Sequence, residues 1–424
     1  MNARKINAKA VSENRFRKLL LTLRSAGIPI NTHSTTTLRS AYNVIVPVSF
    51  YITCLSGFMD FLVSSDLKEL MKSSRVVFGM GVVMWQHFFL SYRKRDIEHL
   101  ISLTDSFTWE EVPTRDPETG RLTMVGYIQI AQSFARYYPA CILLIHFPQS
   151  GVRMVRNREM MITKWYPFDS SASPAYEILN LTQVFAAILI ACVFGGFLSL
   201  YATLVCVACS QLEKLKGALL DIRQTHIILQ QDCGAETNGE EHPHTPEEVF
   251  HRMQKQLNDC IRHHQQIKQF MQAFEDSWST VQCGVFLLIL TALCSVVFSF
   301  ITSWGDHVDL VQSTLVFLEW FCILTLTCWL GNELSVQAES VRDAAWGCDW
   351  VGAPVPFQRC LMFIIASANK EFTLTAGKFV PVSNATMLSV RILLSNYVFS
   401  EDPKARRVDR MQGTQLRFHE MIVY

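Results

Sequence analysis

The sequence predicts an all-α fold, a seven-transmembrane helix bundle with a cytosolic amino terminus and helical extensions into the cytosol. Three observations carry that prediction. Residues 178–212 run for 35 positions without Asp, Glu, Lys or Arg, residues 277–305 for 29 and residues 40–59 for 20. A helix crosses hydrocarbon with about 20 mostly apolar residues, longer than most buried helices of a soluble core. Second, 50% of the 424 residues are hydrophobic and 18% charged, against about 25% charged in an ordinary soluble domain. Third, 38 Lys and Arg balance 37 Asp and Glu. That balance excludes the basic footprint of a nucleic-acid binder, and the apolar content excludes a disordered chain.

The elements follow in order. Residues 1–40 carry eight Lys or Arg and one acid, Glu13, before any long apolar run. A secretory signal would place its apolar stretch close behind a short basic start, so this segment reads as a cytosolic arm, with a short amphipathic helix over 15–23. Spans are expected at 41–63, 76–92, 127–147 and 178–209, within a block 41–209. Residues 210–276 form the largest soluble piece. Its ends are helical in pattern, through Leu212, Leu215, Leu219 and Ile222 and then Phe250, Met253, Leu257, Ile261, Ile267 and Phe270. Between them, 231–246 is rich in Gly, Asn, Glu, His and Pro and reads as flexible. Spans five and six fall at 277–303 and 310–330, within a block 277–330. A cytosolic segment 331–377 leads into the last span at 378–399, and 401–424 is an extracellular tail.

Orientation follows from Lys and Arg counts in the connecting segments. With the amino terminus inside, the inner segments hold 23 and the outer ones 12. All 13 cysteines fall in spans or in segments placed inside, where thiols stay reduced, so no structural disulfide is expected.

No enzyme signature is present: neither Gly-x-Ser-x-Gly, nor His-Glu-x-x-His, nor a phosphate loop. No cofactor is expected. His226, His242, His244, His251, His263 and His264 lack the paired spacing of a zinc site and read as solvated. Gly79, Gly81, Gly195 and Gly196 lie in apolar spans, where small residues let helices approach closely. The Asn180-Leu181-Thr182 sequon lies at the outer edge of span four.

Charges inside spans are costly and mark a buried partner or a function. Arg136 is near the middle of span three and Glu319 near the middle of span six, so an ion pair between them is expected. It would serve equally as structural glue or as a ligand contact. Gln129, Gln132, Ser133 and Arg136 form a polar stripe at helical spacing, expected to face the bundle interior or water. Tyr137, Tyr138 and His146 lie above it. In the last span, Ser389, Leu393, Asn396 and Ser400 fall within about 40° of one direction, with Arg391 about 180° from Ser400. One face can meet water while Arg391 points into the protein. Such a helix suits a pore wall enclosed by several chains, and polar packing between helices explains it equally well.

The chain resembles the insect odorant receptors. The resemblance lies in the inverted seven-span topology, the long loop after span four, and particular stretches. These are Lys164-Trp165-Tyr166-Pro167-Phe168-Asp169, Gly331-Asn332-Glu333-Leu334, Ala344-Ala345-Trp346-Gly347-Cys348-Asp349-Trp350 and Thr375-Ala376-Gly377-Lys378-Phe379-Val380-Pro381, with Tyr397 near the end of the last helix. The resemblance implies a ligand-gated, non-selective cation channel, in which a tuned subunit forms a heterotetramer with odorant receptor co-receptor subunits. It places the chain in the plasma membrane of an olfactory sensory neuron. It implies a small volatile apolar ligand, contact with membrane lipid and no nucleic acid, and a cytosolic anchor where subunits meet. Its ligand pocket opens among the outer halves of spans two to six. By depth and face that takes in Phe78 and Met80, then Ser133, Arg136, Tyr137 and Tyr138, then Val184, Phe298, Leu315 and Glu319. Its pore wall would be Ser389, Leu393, Asn396, Tyr397 and Ser400. The family's hydrophobic gate falls at Ser400, where this chain is polar, which fits a subunit whose co-receptor supplies the gate.

Three other classes remain. A G-protein-coupled receptor would place its amino terminus outside and carry Asp-Arg-Tyr and Asn-Pro-x-x-Tyr type motifs, both absent here. A taste-type receptor channel would share the architecture and bind non-volatile ligands. A transporter would show inverted repeats or paired broken helices, and neither is visible.

Overall fold

The computed structural model describes residues 16–30, 36–64, 67–107, 113–116, 119–157, 160, 165–232, 246–302, 307–348 and 350–401. The arm before residue 16, residues 233–245 with His242 and His244 (most of the stretch expected to be flexible), and the tail from Asp402 lie outside the described residues. So do the side chains of His146, His226, Tyr397 and Ser400.

A short helix α1 (16–25) precedes α2 (Thr37–Val63), α3 (Leu67–Tyr92), α4 (Lys94–Leu103), α5 (Met124–Asn157) and α6 (Ala175–Asp232). Then come α7 (Pro246–Thr302), α8 (His307–Trp346), α9 (Val355–Ala368), strands β1 (Thr375–Ala376) and β2 (Val380–Pro381), and α10 (Asn384–Glu401). The seven expected spans lie in α2, α3, α5, α6, α7, α8 and α10. Four described helices are long and apolar enough to cross a membrane by length and composition alone, within α2, α6, α7 and α8.

Helix α6 is the axle. Its 58 residues make a rod about 87 Å long at 1.5 Å per residue, against a hydrocarbon core of about 30 Å. Helix α7 is nearly as long, at 57 residues. Both therefore continue far into water, and there the amphipathic stripe expected from the sequence is buried, with Leu212, Leu215 and Leu219 facing Met253, Leu257 and Ile267. Helix α9 joins this packing through Phe357, Leu361, Ile364 and Ala368, a spacing that puts all four on one helical face. Between α3, α6 and α7 sits an aromatic layer. Trp278 has ring centroids 5.1 Å from Phe89, 5.6 Å from Phe197 and 5.3 Å from Phe274.

The last span starts later than expected. A helix from Lys378 is impossible because Gly377 and Lys378 have φ of 66° and 61°, in the left-handed region that a helix does not visit. Instead β1 and β2 pair antiparallel, Ala376 opposite Val380, and α10 begins at Asn384. This hairpin is an element that the all-α reading lacks. The 12 cysteines among the described residues are free thiols. Asn180 lies inside α6, is 6% exposed and gives its side-chain N–H to the Tyr176 carbonyl at 3.0 Å, so its amide faces the protein rather than water.

Candidate functional site

Two places bring functional side chains together. The first lies in the middle of the bundle, where α5, α6 and α8 meet under α3. Tyr138 of α5 donates its hydroxyl to Glu319 Oε1 of α8 at 2.5 Å. The Tyr138 ring lies 4.9 Å from Phe134 and 5.6 Å from Phe194 of α6. Phe194 meets Trp320 edge-on at 5.3 Å, an arrangement favoured by the ring quadrupoles. Glycines make this cluster fit. A Cβ on Gly195 would lie 2.8 Å from the Tyr138 ring, and one on Gly79 would touch Trp320 at 3.5 Å. The close approach expected of these small residues is therefore present, and the first of them is obligatory for the position of Tyr138.

The ten sequence-chosen ligand residues divide. Tyr138 and Glu319 touch. Met80 is buried, and Phe78, Ser133, Val184 and Phe298 are half-buried. Arg136, Tyr137 and Leu315 are exposed on the outside of the chain. The expected Arg136–Glu319 ion pair does not form, because equal depth does not give equal direction. Tyr138, about 200° further round the same helix, takes the carboxylate instead. The polar stripe likewise straddles the edge of the buried face. Gln132 is buried, Ser133 is half-buried and bonds the Gln129 carbonyl of its own helix at 2.8 Å, and Gln129 and Arg136 are exposed. Sequence reasoning missed Phe134, Phe194 and Trp320. The available signals were the i, i+4 pair Phe134 and Tyr138 and the residues flanking Gly195 and Glu319.

The end of the bundle that holds Asp60, Ser73 and Ser313 is tied by polar bonds. Arg75 donates to Ser313 Oγ at 2.5 Å, Ser73 to Asp60 Oδ2 at 2.6 Å, and Gln183 to the Tyr166 hydroxyl at 3.3 Å. The last of these docks the segment between α5 and α6 onto α6.

The second place is α10 and its base. Met387, Val390 and Leu394 are buried, and Ser389, Leu393 and Asn396 are exposed. Arg391 is exposed too. The expectation that it points into the protein fails because the buried stripe is not opposite the Ser/Asn face but about 120° from it, and Arg391 flanks that stripe on the other side. The base is clamped to α7. Gly377 N–H donates to the Ser279 carbonyl at 2.8 Å and Lys378 N–H to Ser279 Oγ at 3.0 Å. Thr375 N–H donates to Glu275 Oε2 at 3.0 Å, and its hydroxyl bonds the other oxygen of the same carboxylate. On α8, a Cβ at Gly331 would lie 2.4 Å from the Val382 carbonyl oxygen. Burial raises the Glu213 carboxyl in the α6 extension above its ordinary range, with Lys216 opposing and Glu333 adding to the shift. Among the described residues no group of three His, Cys, Asp or Glu is placed to hold a metal ion.

A multi-pass helical membrane protein with an aromatic, carboxylate-bearing cluster between its spans and a loosely covered terminal helix is thus defined. A family model for the seven-transmembrane odorant receptor matches residues 66–391, and the chain belongs to that family. It is similar to Odorant receptor 2a of Drosophila melanogaster, 24% identical over 62% of this chain and 64% of that one. It is also 24% identical to Odorant receptor Or2 of Anopheles gambiae, over 51% of this chain and 53% of that one. The chain thus spans under two thirds of the length of these two relatives. In fold it resembles the insect olfactory receptor OR5 from Machilis hrabei in complex with eugenol, with a TM-score of 0.66 and 17% identity, covering 93% of this chain and 98% of that one.

Proposed function

We propose that the chain is the odorant-binding subunit of an odorant-gated, non-selective cation channel, assembled with odorant receptor co-receptor subunits in the plasma membrane of an olfactory sensory neuron. One observation carries the reading: among its described side chains α10 buries one narrow stripe and leaves Ser389, Leu393 and Asn396 uncovered. Polar side chains on an exposed face of a membrane helix are costly in lipid and favourable against a water-filled conduit. A single chain cannot enclose a conduit with one such helix, so several chains are required. Exposed Val355, Met362 and Phe363 on α9 offer an apolar surface for their contact.

The ligand enters this scheme at the Tyr138–Phe194–Trp320 cluster. It opens the channel by binding the open arrangement more tightly than the closed one. The clamp at Ser279 and Glu275 carries any displacement of α7 to the base of α10. The amino terminus is cytosolic in this reading, in line with the Lys and Arg counts.

The test is expression with and without a co-receptor subunit, recording currents against volatile ligands. Ligand-evoked cation current with the co-receptor supports the reading. Absence of current in both conditions, at confirmed surface expression, refutes it. Protection of a tag at Met1 from protease in intact cells separates it from a G-protein-coupled receptor.

A further inference from the structure

We propose that the Tyr138–Glu319 cluster recognises an ammonium group, so that the ligand class is the small aliphatic and aromatic amines in their protonated form. This rests on the receptor reading above and narrows it.

Glu319 lies within the apolar helix segment Ser313–Trp346 and is half-buried. Among the described residues its hydrogen-bond partner is Tyr138, on Oε1 alone. Its other oxygen keeps its full acceptor capacity. No basic side chain of the described residues forms an ion pair with it, since Arg136 is turned outward. A carboxylate inside a span is costly, and a cationic partner offsets that cost most directly.

The run of rings that begins at its Tyr138 partner selects the ligand. Tyr138, Phe134 and Phe194 lie ring against ring at 4.9 Å and 5.6 Å, and Trp320 follows at 5.3 Å. Ring faces carry negative quadrupole charge and attract cations within about 6 Å, Trp most strongly. Rings joined to one carboxylate form a complementary site for an ammonium ion with a hydrocarbon body. An ester or ketone, which only accepts hydrogen bonds, meets in Glu319 a second acceptor and gains nothing from it. An alcohol donates one hydrogen bond but adds no charge for the rings to attract. Gly79 packs so near Trp320 that a Cβ there would touch the ring at 3.5 Å.

The experiment uses the full chain with its co-receptor and matched probes: hexylamine against 1-hexanol, and phenethylamine against phenethyl alcohol. Each amine is expected to activate at roughly one tenth, or less, of the concentration of its alcohol, the factor expected from about 1.4 kcal/mol of added attraction. Glu319→Gln keeps the side chain's volume and an oxygen for Tyr138, and the amine-to-alcohol potency ratio should fall about tenfold. Trp320→Leu should lower the same ratio. Surface biotinylation accompanies each variant, and if neither variant reaches the membrane the wild-type comparison decides. Alcohols matching or exceeding their amines in the wild type overturn the proposal while leaving the receptor reading intact. A potency ratio unchanged by Glu319→Gln also overturns it. No current with any probe at normal surface expression counts against the receptor reading as well.

Discussion

Helices α6 and α10 are both largely free of charge, yet they solve opposite problems. From Ala191 to Leu212 every residue of α6 is buried. It is free of charge and mostly apolar on every side because its own chain surrounds it, with Ser199, Thr203, Ser210 and Gln211 as its buried polar residues. Helix α10 buries Met387, Val390 and Leu394 but leaves Leu388, Ile392 and Leu393 more than half exposed. Hydropathy alone does not separate the two, because lipid, protein and a neighbouring subunit all accept leucine. The difference lies in where each helix finds its solvent. Helix α6 is covered within one chain, whereas α10 leaves most of its described surface uncovered by its own chain.

That contrast is broken or sharpened most strongly in the core. Phe274 is fully buried, with rings at 5.9 Å and 5.3 Å from Tyr201 and Trp278. Phe274→Ala should cost about 3–5 kcal/mol, read as a large fall in the thermal unfolding midpoint of purified protein. Leu393→Ala, on the exposed side of α10, should stay within about 0.5 kcal/mol and, on the proposed channel reading, alter single-channel conductance. Equal losses from the two would remove the distinction between the helices.

The next effect falls on the joint between them. Gly331 of α8 lets the backbone of Val382 approach to where a Cβ would collide with its carbonyl. Backbone cannot swing aside as a flexible side chain does. Gly331→Ala should therefore cost about 1–3 kcal/mol and speed proteolytic cleavage near Lys378, leaving the α6–α7 core folded. Unchanged cleavage would mean that the hairpin is held by its bonds to Ser279 and Glu275 alone.

The same contrast explains what was legible in the sequence. Charge-free runs locate α6 and α7 because burial in protein and in lipid both exclude charge. The amphipathic stripe from Leu212 to Ile222 was legible because water faces the other side. The hairpin before α10 was not: Lys378 adopts a positive φ that its residue type does not announce, and the preceding Gly377 is the only sequence hint. Arg391 was placed wrongly because a helical wheel gives angles between residues but not which sector packs. Arg136 and Glu319 share a depth, but Tyr138 owns the direction. Tyr138 and Glu319 stand out in the sequence, whereas Phe194, which packs on Tyr138, and Trp320, which packs on Phe194, are ordinary apolar residues by pattern.

A smaller effect belongs to the water-facing half. His263 and His264 on α7 are held below the usual histidine range, chiefly by burial, with Lys214 beside the first and Lys268 beside the second adding to it. The ring of His263 also packs edge-on against Phe107 at 6.1 Å. Folding thus favours the neutral rings, and the unfolded chain binds more protons below the ordinary histidine pKa. Stability should be flat above pH 7 and fall as pH drops through about 6.5. The double variant His263→Gln, His264→Gln should flatten that slope in unfolding midpoints taken between pH 7.5 and pH 5.5. An unaltered slope would assign it to other groups.

The least effect is expected at the ion pair between α7 and the hairpin. Lys378 Nζ lies 2.9 Å from Asp276 Oδ1, but the two side chains are 66% and 68% exposed. Water screens such a pair, and ordering two side chains offsets most of its attraction. Lys378→Met should leave the unfolding midpoint where it is, and added salt should not change that result. Lys378→Gly should be no worse, since glycine adopts the positive φ at this position without a Cβ penalty. The backbone bonds to Ser279 and the part-buried Thr375–Glu275 contact survive both changes. A fall for Lys378→Met as large as that for Gly331→Ala would show that charge, not close packing, fixes the base of α10. The helix that its own chain covers least would then be tethered to that chain by an interaction that salt can loosen.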